Sequence, residues 1–141
     1  MKISYSSSGG LEALAAAFDS LAADAPRLLG EAAAEGGGKA LAAEFESESD
    51  PAGNPWAKRV PPTGSWSILT KSGKMRGSRT AKAFPSAAEF TVDTPAEFHQ
   101  NGTRRMVARK LLPSRSLPEP WRLAIEKAVH DRIGERLRRA S

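Results

Sequence analysis

The 141-residue chain contains no cysteine, which excludes disulfide bonds and thiolate metal sites. Aromatic residues make up only 6% of it, so its core must rely on small side chains, each of which buries little apolar area. No run of about 18 apolar residues occurs, which predicts that no helix spans a membrane. The first five residues carry one charge and no apolar segment follows, so we expect no signal peptide. A lean core in a chain of this length indicates that assembly contributes to stability.

The net charge of +5 is distributed unevenly. Residues 1–50 hold nine acidic and three basic residues, whereas residues 51–103 hold three acidic and seven basic ones. Residues 104–141 are the most basic, with eleven basic and four acidic residues. A basic segment indicates nucleic acid or another anionic surface as a partner. An acidic segment matched by a basic one also favours head-to-tail packing of like subunits into a ring.

The first half of the chain predicts a long helix over roughly residues 11–47, after a flexible arm at residues 1–10. Apolar residues recur at the i, i+3, i+4, i+7 spacing of one buried face; they are Leu11, Leu14, Ala15, Phe18, Leu21, Ala22, Ala25, Leu28 and Leu29. Pro26 predicts a kink or split near Ala25. Gly36-Gly37-Gly38 predicts a weak point or a break, because glycine costs about 1 kcal/mol in a helix interior.

The middle of the chain predicts a loop and a small sheet. Residues 48–66 contain four prolines and two tryptophans, which indicates a loop. Trp56 and Trp66 there either fill the core or anchor a partner, and the core is favoured. Ala88 to Val92 alternates as a strand does, with Ala88, Phe90 and Val92 on one face. Residues 95–105 predict a turn, and residues 106–112 predict a strand or an extended piece.

Pro118 and Pro120 open a last helix, since proline is tolerated in a first turn. Its apolar face begins at Trp121, and its outer face is largely arginine. The order of elements predicts an α+β fold with a long N-terminal helix, a small antiparallel sheet and a C-terminal helix. We expect residues 11–141 to form one domain.

Two glycine–lysine segments fail the test for a phosphate-binding loop. The Walker pattern requires glycine, four residues, Gly-Lys and then serine or threonine. Gly36-Gly37-Gly38-Lys39 has Ala33 at the first glycine position and Ala40 after the lysine. Ser72-Gly73-Lys74 fails at both positions as well. We expect a kink or a close helix contact at the first segment and a turn at the second.

No pattern of catalytic or metal-binding residues is present. His99 and His130 are the only histidines, and no serine lies in a Gly-x-Ser-x-Gly elbow. Asp50, Asp93 and Glu97 are scattered over predicted loops, which is typical of solvated charges. No cluster has the spacing of a metal site. We therefore expect a protein that is not an enzyme and has no cofactor, with His99 hydrogen-bonded within its turn.

A candidate basic patch lies in the C-terminal part of the chain; its residues are Arg104, Arg105, Arg109, Lys110, Arg115, Arg122, Lys127, Arg132, Arg136, Arg138 and Arg139. It either binds DNA phosphates or is a solvated face with salt bridges to an acidic neighbour, and the second interpretation is favoured. No helix-turn-helix or zinc-finger pattern supports sequence-specific recognition.

Four short motifs follow a phenylalanine in a fixed order: Pro-x-Gly-x-x-Trp, Leu-x-x-Ser/Thr-Gly-x-Leu, aromatic-x-Gln-x-Gly-Thr and Ala/Pro-Arg-x-Phe/Leu-Leu. Their residues here are Phe45; Pro51, Gly53 and Trp56; Leu69, Ser72, Gly73 and Met75; Phe98, Gln100, Gly102 and Thr103; and Ala108, Arg109, Leu111 and Leu112. In this order the chain resembles the virion-morphogenesis (tail-completion) family of tailed bacteriophages over roughly residues 10–138. It departs from that family at Gly36-Gly37-Gly38, at Met75, and after Leu112, where no glycine follows.

The resemblance implies a structural virion protein that forms a ring around the DNA channel at the head–tail junction or the head-proximal tail end. It implies tail completion, tail termination or a neck (head–tail connector) role, after assembly in the host cytoplasm. The implied partners are copies of the chain, six by family analogy, other neck, tail-tube or sheath proteins, and DNA phosphates in the channel, with no membrane. The residues that it marks for interface or structural roles are Trp56, Phe98, Gln100, Gly102, Thr103, Arg109, Leu111 and Leu112.

The resemblance also assigns roles to particular parts of the chain. The acidic first helix would face a basic last helix nearby. Gly102 would allow a tight turn, and Arg109 would pin that turn to the start of the last segment. The arm at residues 1–10 and the loop at residues 48–66 would bind neck or tail partners and order on binding. The alternative functions are a small basic nucleic-acid-binding module and a small hydrolase that uses His99.

Overall fold

A computed structural model describes residues 10–59, 68–70, 72–93 and 95–140. Its elements are the helices α1 (Gly10–Ser47), α2 (Lys74–Gly77), α3 (Ala96–Asn101) and α4 (Glu119–Ala140), with the strands β1 (Thr80–Phe84) and β2 (Ala87–Thr91). This is the predicted α+β fold, with a long N-terminal helix, a two-stranded antiparallel sheet and a C-terminal helix. Trp66 and all of the predicted arm except Gly10, the first residue of α1, lie outside the described residues.

Helix α1 is continuous from Gly10 to Ser47, so the break predicted at Gly36-Gly37-Gly38 is wrong. The glycines are there because neighbouring elements approach closely. A Cβ atom on Gly36 would lie 2.6 Å from the Cα atom of Ile125, and one on Gly37 would collide with the ring of Phe90. Tertiary packing therefore outweighs the low helix propensity of glycine, and the expectation of a close helix contact is confirmed. The helix also does not split at Pro26, and the kink there stays a prediction.

Helix α4 packs antiparallel to α1. Arg136 pairs with Asp24 at 2.7 Å near the start of α1, and Arg132 pairs with Glu31 and Glu35, each at 2.9 Å. At the other end of the helix pair, near the C-terminus of α1, the indole of Trp121 donates a hydrogen bond to Glu44. The prediction that arginine covers the outer face of α4 is therefore wrong for Arg132 and Arg136. The interpretation as salt bridges to an acidic neighbour is confirmed for these two residues, and that neighbour is α1 of the same chain.

The β1–β2 hairpin lies along α1. Ala88, Phe90 and Val92 are half-buried while Glu89 and Thr91 are exposed, which confirms the predicted alternation, although Val92 lies just beyond β2. The Phe90 ring contacts the Trp121 ring edge to face, with centroids 5.0 Å apart. At the hairpin turn, the backbone N–H of Ser86 donates to the carbonyl of Pro26 at 2.7 Å. The hairpin is thus fixed to α1 at its turn and to α4 through Phe90.

The core lies at the C-terminal end of α1. Its buried cluster is Ala40, Leu41, Phe45, Trp56, Ile68, Met75, Ala96, Leu111 and Trp121. The first turns of α1 lie outside this core: Leu14 is 47% exposed and Phe18 is 52% exposed. The prediction of one buried face is therefore wrong for the exposed residues Leu14, Ala15, Phe18, Ala22 and Leu29. In the first turns the physical reason is length, because α1 spans about 57 Å and its partner α4 only about 33 Å. Leu29 is exposed although α4 pairs with α1 on either side of it.

Two further local predictions are wrong. Residues 95–105 are not a simple turn, since residues 96–101 form α3 before the chain reverses at Gly102. Residues 106–112 do not form a strand; the only pairing described there is an isolated bridge between Thr103 and Met106. The amides of Leu111 and Leu112 are bonded instead by the side chain of Gln100.

Candidate functional site

Gln100 holds the backbone of the segment that follows it. Its side-chain Oε1 accepts hydrogen bonds from the N–H groups of Leu111 (2.7 Å) and Leu112 (2.9 Å). Its Nε2 donates to the carbonyl of Leu112 at 2.8 Å. All three bonds are partly buried, and the Leu111 side chain between them is 1% exposed. One glutamine thus supplies the bonds that a neighbouring strand would otherwise supply.

Arg109 and Trp56 connect this segment to the loop after α1. The Arg109 Nε donates to the carbonyl of Ala57 at 2.7 Å, and its Nη2 donates to that of Lys58 at 3.3 Å. In the reverse direction, the indole Nε1 of Trp56 donates to the carbonyl of Lys110 at 2.9 Å. Trp56 is buried and contacts Phe45 edge to face, so it lies in the core as predicted. The role predicted for Arg109 is wrong, because it binds the loop after α1, and Gln100 instead holds Leu111 and Leu112.

Gly102 and Thr103 shape the chain reversal between these segments. Gly102 has a φ of 72°, and a Cβ atom there would lie 2.9 Å from the backbone nitrogen of Ala108. Both the conformation and the space therefore require glycine, which confirms the predicted tight turn. Thr103 and Met106 exchange two backbone hydrogen bonds of 2.9 and 3.2 Å. Arg104 and Arg105 consequently lie at the apex of an exposed turn.

Seven of the eight marked residues lie in one part of the structure, here called the junction. Trp56, Gln100, Arg109, Leu111 and Leu112 make its hydrogen bonds, and Gly102 and Thr103 form the chain reversal between its segments. Leu112 packs half-buried against the core. The eighth residue, Phe98, is 47% exposed on α3. The side chains of the junction bond mainly to backbone groups, so they hold neighbouring segments of the chain together. Whether these residues form an interface stays a prediction.

The residues considered for catalysis do not come together. His99 is half-buried, and burial lowers its pKa, with the charge of Arg109 lowering it further. Its Nδ1 atom is buried without a hydrogen-bond partner. Asp50 caps its own loop, accepting hydrogen bonds from the N–H groups of Ala52 (3.0 Å) and Asn54 (2.8 Å). Within the described residues, no three His, Asp or Glu side chains lie close enough together to hold a metal ion.

Unpaired positive charge concentrates around the junction. Residues 98–118, here called the basic arm, contain five basic residues and no acidic one. Among them, the side chains of Arg104, Arg105, Lys110 and Arg115 are exposed and form no ion pair with any residue that the structure describes. The arm also exposes apolar side chains, with Val107 at 63% and Leu117 at 47%. A cationic surface with apolar spots therefore surrounds the braced backbone.

The opposite end of α1 has the complementary character. Residues 12–19, here called the acidic tip, contain Glu12 and Asp19 and no basic residue. Both carboxylates are exposed and form no ion pair within the described part of the chain. Leu14 and Phe18 lie one helical turn apart on the tip and share one face. The tip is the N-terminal end of α1, whereas the basic arm packs near the C-terminal end of α1 through Leu111 and Trp56.

Sequence reasoning missed one buried polar group, Glu44. It is 4% exposed, and its Oε2 atom is buried without a hydrogen-bond partner. Burial raises its pKa to about 8, against the opposing hydrogen bond from Trp121 and with the charge of Asp50 raising it further. The signal was present in the helical spacing, because Glu44 lies three residues after Leu41 and next to Phe45 on the apolar face.

Comparisons of the chain with models of known protein families, with curated proteins and with solved structures give no match. None of the helices in the described ranges has the length and apolarity needed to cross a lipid bilayer.

Proposed function

We propose that this chain is a structural protein of a phage virion that assembles with copies of itself into a ring at the head–tail junction or the head-proximal tail end. The single observation that carries the proposal is the half-exposed apolar face near the start of α1. Its spacing is that of a buried helix face, yet Leu14 and Phe18 are 47% and 52% exposed. A face of this kind is stable in water when another subunit covers it.

The placement of charge supports a directional contact. An acidic, apolar end and a basic, apolar end on one subunit favour head-to-tail association, which closes into a ring when the rotation between subunits allows it. The expected contact between an acidic first helix and a basic last helix occurs within one chain, where Arg132 and Arg136 pair with α1. A contact between copies therefore has to use other charges. The basic arm offers four exposed cations that form no ion pair with a described residue.

The character of the junction agrees with a structural role. Its residues brace backbone segments and hold the arm in one conformation, which lowers the entropy lost when the arm is bound. The role as a tail-completion, tail-terminator or neck protein and the six-fold order rest on the resemblance of the sequence motifs. The same resemblance supplies the other partners proposed here, namely neck, connector, tail-tube or sheath proteins and DNA in the channel.

The test is the mass of the purified protein, measured by light scattering across concentration and salt and combined with negative-stain imaging. A closed ring with a central hole is the expected result, and its mass gives the number of subunits. A protein that stays monomeric at every concentration and salt contradicts self-assembly into a ring.

A second candidate function is binding to nucleic acid through the basic arm, without base recognition. The observation that favours it is the set of four exposed, unpaired cations with no acidic residue between residues 98 and 118. This function predicts duplex binding by the monomer, with an affinity that falls steeply as salt rises, because each neutralised phosphate releases counterions. A titration with duplex DNA at several salt concentrations tests it. The hydrolase alternative rests on His99, whose buried Nδ1 has no hydrogen-bond partner. His99→Ala tests it, since an intact fold with full assembly removes its motivation.

A further inference from the structure

The acidic tip combines an apolar stripe with charges of one sign. Leu14 and Phe18 are each about half exposed, and Ala17 between them is the one buried residue of the tip. Glu12 and Asp19, seven residues apart, share a second side of the same stretch of helix, about 130° around the axis from this stripe. Their carboxylates form no ion pair with any described residue. Eight residues of helix present about 12 Å of such surface.

The basic arm also has exposed apolar side chains, but its charges are positive where those of the acidic tip are negative. The turn between Thr103 and Met106 projects Arg104 and Arg105, and Val107 directly after it is the most exposed of the large apolar side chains. Phe98 on α3 adds a second half-exposed apolar ring to the same arm. Each surface therefore offers apolar groups beside charges of a single sign, and the signs are opposite.

We propose that the acidic tip of one copy docks on the basic arm of the next copy. The inference rests on the proposed function, since it names the two surfaces through which copies would associate. Leu14 and Phe18 would cover Phe98 and Val107, while Glu12 and Asp19 would pair with the guanidinium groups of the arm. Arginine suits such a contact because it binds carboxylates with two parallel hydrogen bonds.

The acidic tip and the basic arm of one chain are too far apart to contact each other. The arm is anchored to the core by Leu111 and by the bond from Trp56, next to Phe45 at the end of α1. From Asp19 to Phe45 the continuous helix spans about 39 Å at 1.5 Å per residue. A second copy is therefore the partner whose charges and apolar groups fit both ends at once, and the contact is heterologous.

The experiment uses two full-length charge-reversal variants. The tip variant carries Glu12→Lys and Asp19→Lys, and the arm variant carries Arg104→Glu and Arg105→Glu. Sedimentation velocity across concentration measures self-association, and circular dichroism checks that each variant folds. We expect either variant alone to need at least roughly tenfold more protein for half-assembly, because like charges then face each other. A matched control, Lys74→Glu with Lys127→Glu, reverses two exposed cations elsewhere and is expected to leave association unchanged.

The decisive measurement is the equimolar mixture of the two variants. The lysines of the tip variant then meet the glutamates of the arm variant, and the unchanged tip and arm meet each other, so assembly is expected to return toward the level of the original protein. The single variants serve as folding controls for the mixture, since a misfolded chain would not be rescued by its partner.

Three results overturn the inference. If the original protein assembles but both variants assemble equally well, the docking surfaces are wrong while ring formation stands. If both variants fail and their mixture stays unassembled, the two surfaces do not bind each other. If association is unchanged and the arm variant instead loses duplex DNA binding, the arm serves nucleic acid. A monomeric original protein contradicts the proposed function as well, so the two failures are distinguishable.

Discussion

The indole of Trp121 donates a hydrogen bond of 2.6 Å to the carboxyl of Glu44, which lies 77 residues earlier in the chain. This bond joins α4 to the end of α1 inside the core, where both side chains are buried. It satisfies only one of the two carboxyl oxygens, and the other has no partner. A buried carboxyl with one unpartnered oxygen is therefore part of the contact that closes the helix pair.

Glu44 predicts that stability falls as pH rises. The pKa of Glu44 rises from 4.5 to about 8 on folding, so between these values the folded chain holds a proton that the unfolded chain releases. Its stabilising contribution is full below pH 4.5 and is lost as pH rises from there through 8, by up to about 1.4 kcal/mol per pH unit. Denaturant unfolding at pH 5, 7 and 9 measures the trend. Glu44→Gln keeps an acceptor for Trp121 and is expected to flatten it; an unchanged slope in this variant argues against Glu44 as the cause.

We expect alanine substitutions within the run of three glycines to change the stability of the fold in opposite directions. Gly36→Ala is expected to destabilise the fold by about 2 kcal/mol or more, because the new Cβ would meet backbone atoms of α4 that cannot move aside cheaply. Gly38→Ala is the matched control, since its Cβ would meet only the Cβ of Ala81 at an ordinary 3.5 Å. There the gain in helix propensity is expected to stabilise the fold by up to about 1 kcal/mol. Thermal unfolding of both variants tests the contrast, and equal effects would contradict the close contact.

We expect that removing the side chain of Gln100 reduces the protection of backbone amides against hydrogen exchange in the basic arm. Gln100→Ala leaves the two amides and one carbonyl of Leu111 and Leu112 without partners, which is expected to cost about 2–3 kcal/mol. Hydrogen exchange at the amides of Leu111 and Leu112 should accelerate more than exchange in α1. Gln100→Glu retains the acceptor but sets a carboxylate against the carbonyl of Leu112, so this variant is expected to be less stable at pH 7 than at pH 4. Unaltered exchange in Gln100→Ala would remove the bracing role.

The α1–α4 salt bridges predict unequal effects of two arginines. Arg132 is two-thirds buried and binds two glutamates of α1, so Arg132→Ala is expected to lower stability by about 1 kcal/mol. Arg139 is 76% exposed and pairs only with Glu135 on its own helix, so Arg139→Ala is expected to have little effect. Urea unfolding at low and high salt compares the two variants. Equal losses would mean that the arginines of α4 act only through helix propensity.

The sequence predicted the periodic parts of this fold and missed what depends on distant contacts. The helix was expected over roughly residues 11–47 and covers Gly10–Ser47, because its apolar spacing is long and regular. The break at Gly36-Gly37-Gly38 was wrong because the reason for glycine there is Ile125, about ninety residues later. The strand at residues 106–112 was wrong because the side chain of Gln100 replaces a strand partner.

The candidate site was predictable in its membership but not in its geometry. The motif order of the sequence resemblance marked Trp56, Gln100 and Arg109, and these residues meet in the junction. Which backbone group each of them binds depends on how the loop after α1 folds back, and no local pattern encodes that path. Leu14 and Phe18 follow the spacing of a buried helix face. Periodicity alone could therefore not show that about half of each side chain is exposed.

The unbroken course of α1 has a geometric consequence. Because the helix joins the core to the acidic tip without interruption, the distance between the two ends is fixed by residue count alone. Removing four residues between Asp19 and Pro26 would shorten this distance by about 6 Å and turn the tip by about 40° relative to the core. In any assembly that uses both ends, the spacing between neighbouring subunits therefore depends on the length of α1.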